Sequence, residues 1–178
     1  LNGNLVTGKF EIPPTVDSIG DYAFYNYKQI TSLIIPNSVK TIGKYAFSNT
    51  AVDSITLGNA VNSISEYAFS GTPSQYIYLP ASVRKVAGSA FSGYLMGFKV
   101  AEDNPNFCAV DGILYSHSKD TLIAYPNARK GTFTIPEGVT TIGKYAFYRT
   151  RLDSIIIANS VSSIGEEAFS YSNNLKML

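Results

Sequence analysis

IPNSVKTIGKYAF, running from Ile35 to Phe47, is the stretch on which the fold turns. Its skeleton, V-x-x-[IV]-[GSA]-x-x-A-F, recurs as Val16 to Phe24, Val39 to Phe47, Val61 to Phe69, Val83 to Phe91, Val139 to Phe147 and Val161 to Phe169. Successive phenylalanines lie 23, 22, 22, 56 and 22 residues apart. A period between about 20 and 50 residues marks a repeat architecture, because a unit that short cannot bury its own apolar side. Each unit must be covered by its neighbours, so the chain is expected to wind into a solenoid.

Ahead of each motif an alternating apolar segment ends in a turn residue: LIIP at Leu33 to Pro36, ITLG at Ile55 to Gly58, IYLP at Ile77 to Pro80 and IIIA at Ile155 to Ala158. Period-2 alternation bounded by proline or glycine reads as a short strand with one buried face, giving one strand, a turn and a return segment per repeat. Leu33 and Ile35, Ile55 and Leu57, Ile77 and Leu79, Phe98 and Val100, and Ile155 and Ile157 then point inward. Parallel strands about 4.8 Å apart, in seven or eight layers, make a rod roughly 35 Å long. On the return arm a small residue, usually glycine, precedes Ala-Phe, so a tight turn or short helix is expected there. The six phenylalanines are expected to stack as one spine.

The 56-residue gap equals two repeats plus twelve residues. Within it, Lys99 to Pro105 leaves a strand for a D-N-P turn. Phe107 to Val110, Asp111-Gly112 and Ile113 to Tyr115 read as a hairpin, and a turn at Ser116 to Asp120 leads to TLIAYP at Thr121 to Pro126. FTIP at Phe133 to Pro136 regains the regular position. This segment, about 101–132, is expected to replace one return arm with a β-meander that either covers the side of the solenoid or protrudes as a contact element.

Composition allows one well-buried domain over 1–178: hydrophobic residues make up 45%, and 14 lysines and arginines against 13 acids leave a scattered net charge of +1. That balance argues against nucleic acid and against a strongly charged membrane face. No run reaches about 18 apolar residues, so no membrane insertion is expected from this segment. The sequence opens at Leu1 without a methionine or signal-peptide pattern, and reads as a soluble, trimmed chain. Leu175 to Leu178 matches the start of another strand, so further repeats or a cap are expected to follow. A single cysteine, Cys108, excludes an internal disulfide framework and a multi-cysteine metal site.

With six copies holding Val, Ile and Ala-Phe in phase, I-P-x-S-V-x-x-I-G-x-x-A-F resembles the BspA-like leucine-rich repeat family of bacterial surface proteins. N-P-x-F with D-G-I-L-Y, Asn104 to Tyr115, resembles a variant unit of that family. Ser65 and Ala87 depart from the usual glycine, and Gly58 and Ala158 from the usual proline. The resemblance implies a leucine-rich-repeat-like right-handed coil with a parallel β-sheet on one face and short helical or irregular return arms. It also implies an exported, cell-surface-associated protein concerned with adhesion to a host or microbial protein or glycan. The particular ligand does not carry over, since repeat surfaces diverge faster than folds.

An enzyme needs a nucleophile with a base, paired carboxylates or a metal, and the inventory is thin. His117 sits in a polar turn, nine residues from Cys108, where a solvated side chain is the expectation and a thiol–imidazole pair the rival. Glu166-Glu167 and Glu102-Asp103 are expected to face water, and Glu102, Asp103 and Asp111 are a poor calcium signal. No phosphate-binding, nucleophile-elbow or zinc motif occurs, so no cofactor or metal is expected and the chain reads as non-enzymatic.

The remaining surface is the outer face of the strands. One column runs Lys9, Ser32, Ser54, Tyr76, Gly97, Thr132, Ser154; the other runs Glu11, Ile34, Thr56, Tyr78, Lys99, Thr134, Ile156. Ser32, Ile34, Ser54, Thr56, Tyr76, Tyr78, Lys99, Ser154 and Ile156 are the candidate partner-binding residues, with the two tyrosines foremost because rigid aromatics lose little entropy on binding. A second set, Tyr22, Tyr45, Tyr67 and Tyr145, recurs in phase with the repeat and is expected to cover the edge of the core. An adhesion module and a spacer that stacks on further repeats or a second copy are the two readings these features leave.

Overall fold

The computed structural model describes residues 7–177; Leu178, expected to continue a last strand, lies outside them. The chain winds through eight layers, each laying a strand on one face: β1 (Gly8–Glu11), β3 (Ile30–Ile34), β5 (Ser54–Thr56), β7 (Tyr76–Leu79), β9 (Gly97–Val100), β13 (Thr132–Thr134), β15 (Ser154–Ile156) and β17 (Lys176–Met177). Pairing is parallel, with Leu33 opposite Ile55 and Phe133 opposite Ile155. Leu33, Ile35, Leu57, Ile77, Leu79, Phe98 and Ile155 are buried as their alternation requires. Ile55, Val100 and Ile157 are half-buried.

One strand per repeat is an incomplete expectation. The pair ending at the motif's Ile or Val forms a second short strand, β2 (Ser18–Ile19), β4 (Thr41–Ile42), β6 (Ser63–Ile64), β8 (Lys85–Val86), β14 (Thr141–Ile142) and β16 (Ser163–Ile164), and the four-residue β12 (Thr121–Ala124) takes that place in layer 5. These also pair in parallel, Ile42 opposite Ile64 and Ile142 opposite Ile164. Two residues are too few for a period-2 pattern to show in sequence.

The return arms are not helical; no helix occurs among the described residues. The backbone hydrogen bonds give the reason. In the second arm, Ala46, Ser48 and Thr50 N–H groups close local turns on the carbonyls of Gly43, Tyr45 and Phe47. The alternate N–H groups cross to the next layer, Tyr45 to Glu66 O at 3.2 Å, Phe47 to Ala68 O at 2.8 Å and Asn49 to Ser70 O at 2.8 Å. Every N–H is used, and a helix would divert the ones that tie layers together. The cost falls on Tyr45 and Asn49, both at φ 56°. Asparagine tolerates that region, and tyrosine there is uncommon. Tyr45 is held by stacking, its ring 5.0 Å from Tyr22 and 4.8 Å from Tyr67.

The phenylalanine spine is real but divided. Phe24, Phe47, Phe69 and Phe91 stack at 5.1, 5.3 and 5.1 Å. The column resumes with Phe147 on Phe169 at 5.3 Å, and Tyr125 rather than a phenylalanine stacks on Phe147 at 5.2 Å. Ala124-Tyr125 is therefore the Ala-Phe of the fifth layer, confirmed by the Tyr125 N–H donating to Ala146 O at 2.7 Å. Its arm is two residues shorter than the next, since Leu122 pairs with Ile142 while Tyr125 meets Phe147.

Between the two stacks runs the hairpin β10 (Phe107–Val110) and β11 (Ile113–Ser116), which pairs antiparallel with β12. The third strand of the meander is thus the regular second strand of layer 5. The hairpin neither covers a side nor protrudes. Phe107 and Leu114 belong to the core of layers 1 to 4, whereas Ile113 and Tyr115 belong to the core of the later layers. Ile113, Leu114 and Tyr115 are all buried. At the far end, Gly112 O accepts the Phe98 N–H at 2.8 Å. The hairpin is a partition crossing the solenoid, and its tip sits beside β9 where the next strand would pair. The strand face falls into separate sheets, β1-β3-β5, β7-β9 and β13-β15-β17, and the hairpin tip occupies the break between the last two.

On the arm side the reverse happens. Layer 4 carries Ala87-Gly88-Ser89 and layer 5 the shortened arm, so the arms of layers 3 and 6 meet across them. Glu66 bridges Lys44 at 3.1 Å and Lys144 at 3.2 Å, and Lys144 continues to Glu166 at 3.1 Å. Tyr67 packs on Tyr145 and Tyr148 at 5.7 and 5.4 Å, completing the expected tyrosine cover of the core edge. Glycine is required at 88, where a Cβ would lie 2.4 Å from Lys144 O and 2.8 Å from Ile123 O.

Candidate binding surface

Tyr76 and Tyr78 stand on the outer face of β7, alternating with Ile77 and Leu79, whose burial fixes the strand beneath them. They are 59% and 52% exposed, while Ile77 and Leu79 are at most 1% exposed. In the pairing of β7 with β9, Tyr76 lies opposite Gly97 and Tyr78 opposite Lys99, so Tyr76, Tyr78 and Lys99 form one patch. Between Tyr78, Lys99, Glu102 and the hairpin residues Ala109 and Gly112 opens a cleft of about 490 Å³.

The other candidates are less uniformly presented. Ser54 and Thr56 are exposed on β5, beside half-buried Ser32 and Ile34 on β3; Ile34 is thus less open than its alternation suggests. Ile156 is 42% exposed, but Ser154 is buried at 8%, its hydroxyl 2.7 Å from that of Thr132. Ser154 lies between β13 and β17, and a small side chain there is shaded by its neighbours. Ser154 and Ile156 also sit beyond the hairpin tip, on a different sheet from the tyrosines.

Arg129 escapes a reading of the columns. It leaves the chain just before β13 and reaches back, its Nε donating to Met96 O at 2.8 Å. The guanidinium lies over two glycines: a Cβ at Gly112 would fall 2.7 Å from Nη2, and one at Gly97 would fall 3.5 Å from both Nη2 and Tyr76 Cε1. Burial raises the buried Tyr125 phenol, and the same guanidinium partly offsets it. No carboxylate lies within ion-pair distance of Arg129 among the described residues. Nearby, Arg151 stacks over exposed Tyr94 at 5.4 Å. The one hint in sequence is Gly97, a missing side chain in a column of hydroxyls and tyrosine.

Cys108 and His117 do not form a nucleophile and base. The thiol faces the carbonyls of Ser116 and His117, and the imidazole Nδ1 pairs instead with Asn104 O at 3.0 Å. Burial pushes the thiol up, away from thiolate reactivity. Among the described residues no three His, Cys, Asp or Glu side chains gather to hold a metal, and no helix is long and apolar enough to cross a membrane.

A leucine-rich repeat protein from Eubacterium ventriosum is 26% identical with a TM-score of 0.73 over 90% of this chain and 50% of its own. A leucine rich cell surface protein from Faecalibacterium prausnitzii is 28% identical, TM-score 0.61, over 99% of this chain and 61% of its own. The pneumococcal vaccine antigen PcpA, 20% identical with a TM-score of 0.61 over 99% of this chain and 62% of its own, shows the fold alone. The chain thus spans about half to three-fifths of the length of these structures. No functionally curated protein matches it. The model of the BspA type leucine rich repeat region matches in six copies over residues 4–99 and 124–178, leaving out the partition hairpin. Two-stranded layers and an Ala-Phe spine agree with that match, and the chain belongs to the BspA-type leucine-rich repeat family.

Proposed function

We propose that this chain is a non-enzymatic recognition module of a bacterial cell surface, whose strand face engages a protein or glycan on a host or another cell. The observation that carries this reading is the pair Tyr76 and Tyr78, each more than half exposed on a strand whose alternate residues are locked in the core. Large aromatics do not remain open on a rigid face without cost to solubility, and they supply contact area with few rotors to freeze. The relative from Faecalibacterium, described as a cell surface protein, supports the extracellular setting. The test is binding of the wild type and of Tyr76→Ala with Tyr78→Ala to arrayed glycans and immobilised matrix proteins. The double variant is expected to lose at least tenfold in affinity for whichever ligand the wild type retains; unchanged affinity overturns the reading.

A second reading, a spacer that stacks on further repeats or a second copy, is favoured by the last layers, where Ile164 and Tyr171 are 54% and 65% exposed. Sedimentation separates the two. Self-association abolished by Ile164→Asp supports stacking on a second copy, and a strict monomer at high concentration removes that form of the reading.

A further inference from the structure

We infer that the strand face at layers 4 and 5 holds a carboxylated sugar, with Arg129 gripping the carboxylate and Tyr76 supplying the ring against which the sugar lies. This deepens the recognition reading and rests on it.

Arg129 is seated rather than draped. Its Nε is committed to Met96 O, and its plane rests on two residues without side chains, Gly97 and Gly112. Gly112 follows from the tight hairpin turn, with φ 71°, but Gly97 is an ordinary strand position where serine, threonine or tyrosine stands in most other layers. A guanidinium keeps its charge at any physiological pH, and here its close neighbours Tyr76, Tyr125 and Met96 are neutral. Beyond the Nε bond to Met96 O and the contact with the Tyr125 hydroxyl, its remaining terminal N–H groups lie in a planar fork that matches a carboxylate. Of the acids near the seat, Asp111 is exposed at the hairpin tip and Glu102 lines the adjoining cleft, and neither makes an ion pair among the described residues.

Tyr76 and Arg129 flank the same point, the empty Cβ position of Gly97. A pyranose presents a C–H face to an aromatic ring and its substituents sideways, so one acidic sugar can lie on Tyr76 and turn its carboxylate to Arg129. Tyr78, which faces Lys99 in the same strand pairing, adds a phenol hydroxyl to the patch, and exposed Met96, whose carbonyl holds Arg129, adds apolar surface on which a sugar ring can rest. Lys99 on one side and Arg151, stacked on Tyr94, on the other extend the cationic line, as a chain with recurring carboxylates requires.

The experiment is calorimetric titration with polygalacturonate and hyaluronan oligosaccharides, against the methyl ester of the first, which keeps the rings and removes the charge. Wild type is expected to bind an acidic oligosaccharide at least tenfold more tightly than the ester. Arg129→Gln should lose about 10- to 100-fold for the acid and nothing for the ester. Asp111→Asn, which suits the left-handed turn position and removes the local negative charge, should tighten acid binding. That gain is an independent readout should Arg129→Gln disturb the fold, which melting would show. Equal binding of acid by wild type and folded Arg129→Gln overturns the inference, as does failure of wild type to bind either acid. Preference for an aspartate-rich peptide over both sugars also overturns it, assigning the face to protein. If the inference fails while Tyr76→Ala with Tyr78→Ala still abolishes binding of another ligand, the recognition reading stands alone.

Discussion

Asn104→Ala should loosen the partition hairpin. The side chain is fully buried and uses all of its hydrogen-bonding capacity. Nδ2 donates to Pro80 O at 2.9 Å and Val83 O at 3.2 Å, in the turn of layer 4. Oδ1 accepts from the N–H groups of Asn106 at 2.8 Å and Phe107 at 2.9 Å, where β10 begins. After truncation the two carbonyls keep other donors, Val83 N–H for Pro80 O and Asn106 Nδ2 for Val83 O. The N–H groups of Asn106 and Phe107 do not, and Phe107 is buried. One orphaned buried donor at about 1–3 kcal/mol, and smaller losses from the other three bonds, sum to about 3 kcal/mol. For a chain of this length that is a fall in Tm of about 6–12 °C. Asn104→Asp provides the control: it keeps both acceptor bonds but turns a carboxylate oxygen toward two carbonyls. Its folded pKa is raised, so the folded state holds a proton that the unfolded state releases, and stability falls as pH rises from about 4 toward 7. Asn104→Ala should show no such slope. Urea denaturation followed by circular dichroism at several pH values reads both. A cost below about 1 kcal/mol for the alanine variant, or a pH-independent aspartate variant, refutes the idea that this one amide seats the hairpin.

Gly88→Ala forces a methyl between two backbone carbonyls and is expected to cost about 3 kcal/mol in the same denaturation assay. Gly20→Ala, which meets nothing within 4 Å, should be near neutral. Ser89→Ala removes a buried hydroxyl that has no hydrogen-bond partner, and melting should show stability unchanged or raised by up to about 1 kcal/mol. Burial raises the Glu66 carboxyl, but the ammonium groups of Lys44 and Lys144 outweigh it and hold it below the ordinary range. A lowered folded pKa contributes stability that is present at neutral pH and lost as pH falls below about 4. Glu66→Gln should flatten that acid limb by no more than about 1 kcal/mol, read from melting curves between pH 3 and 6 by reference to the wild type.

The repeat was legible because Val, Ile and Ala-Phe serve the same core position in every layer, so one pattern states both period and burial. Tyr125 was not, since the arm that carries it drops two residues and exchanges the phenylalanine, which removes the motif while preserving its role. The surplus in the 56-residue gap could be counted, yet its path through the core depends on Leu114 and Tyr115 finding opposite stacks, a tertiary outcome that alternation leaves open. Tyr76, Tyr78 and Lys99 follow directly from period two. Ser154 does not, because its burial comes from neighbouring strands rather than its own alternation. Arg129 was hidden for a related reason: its seat is assembled from a carbonyl and two glycines belonging to two separate segments, Met96-Gly97 and Gly112.

The partition hairpin adds material to the strand side of the column, while the small residues of the layer 4 arm and the shortened arm of layer 5 let layers 3 and 6 touch on the opposite side. A stack lengthened along one edge and shortened along the other must change heading there. The bearing of every repeat after layer 5 is therefore set by a segment outside the repeat pattern. Altering that single loop would re-aim the downstream half, and whatever it displays, with each repeat left untouched.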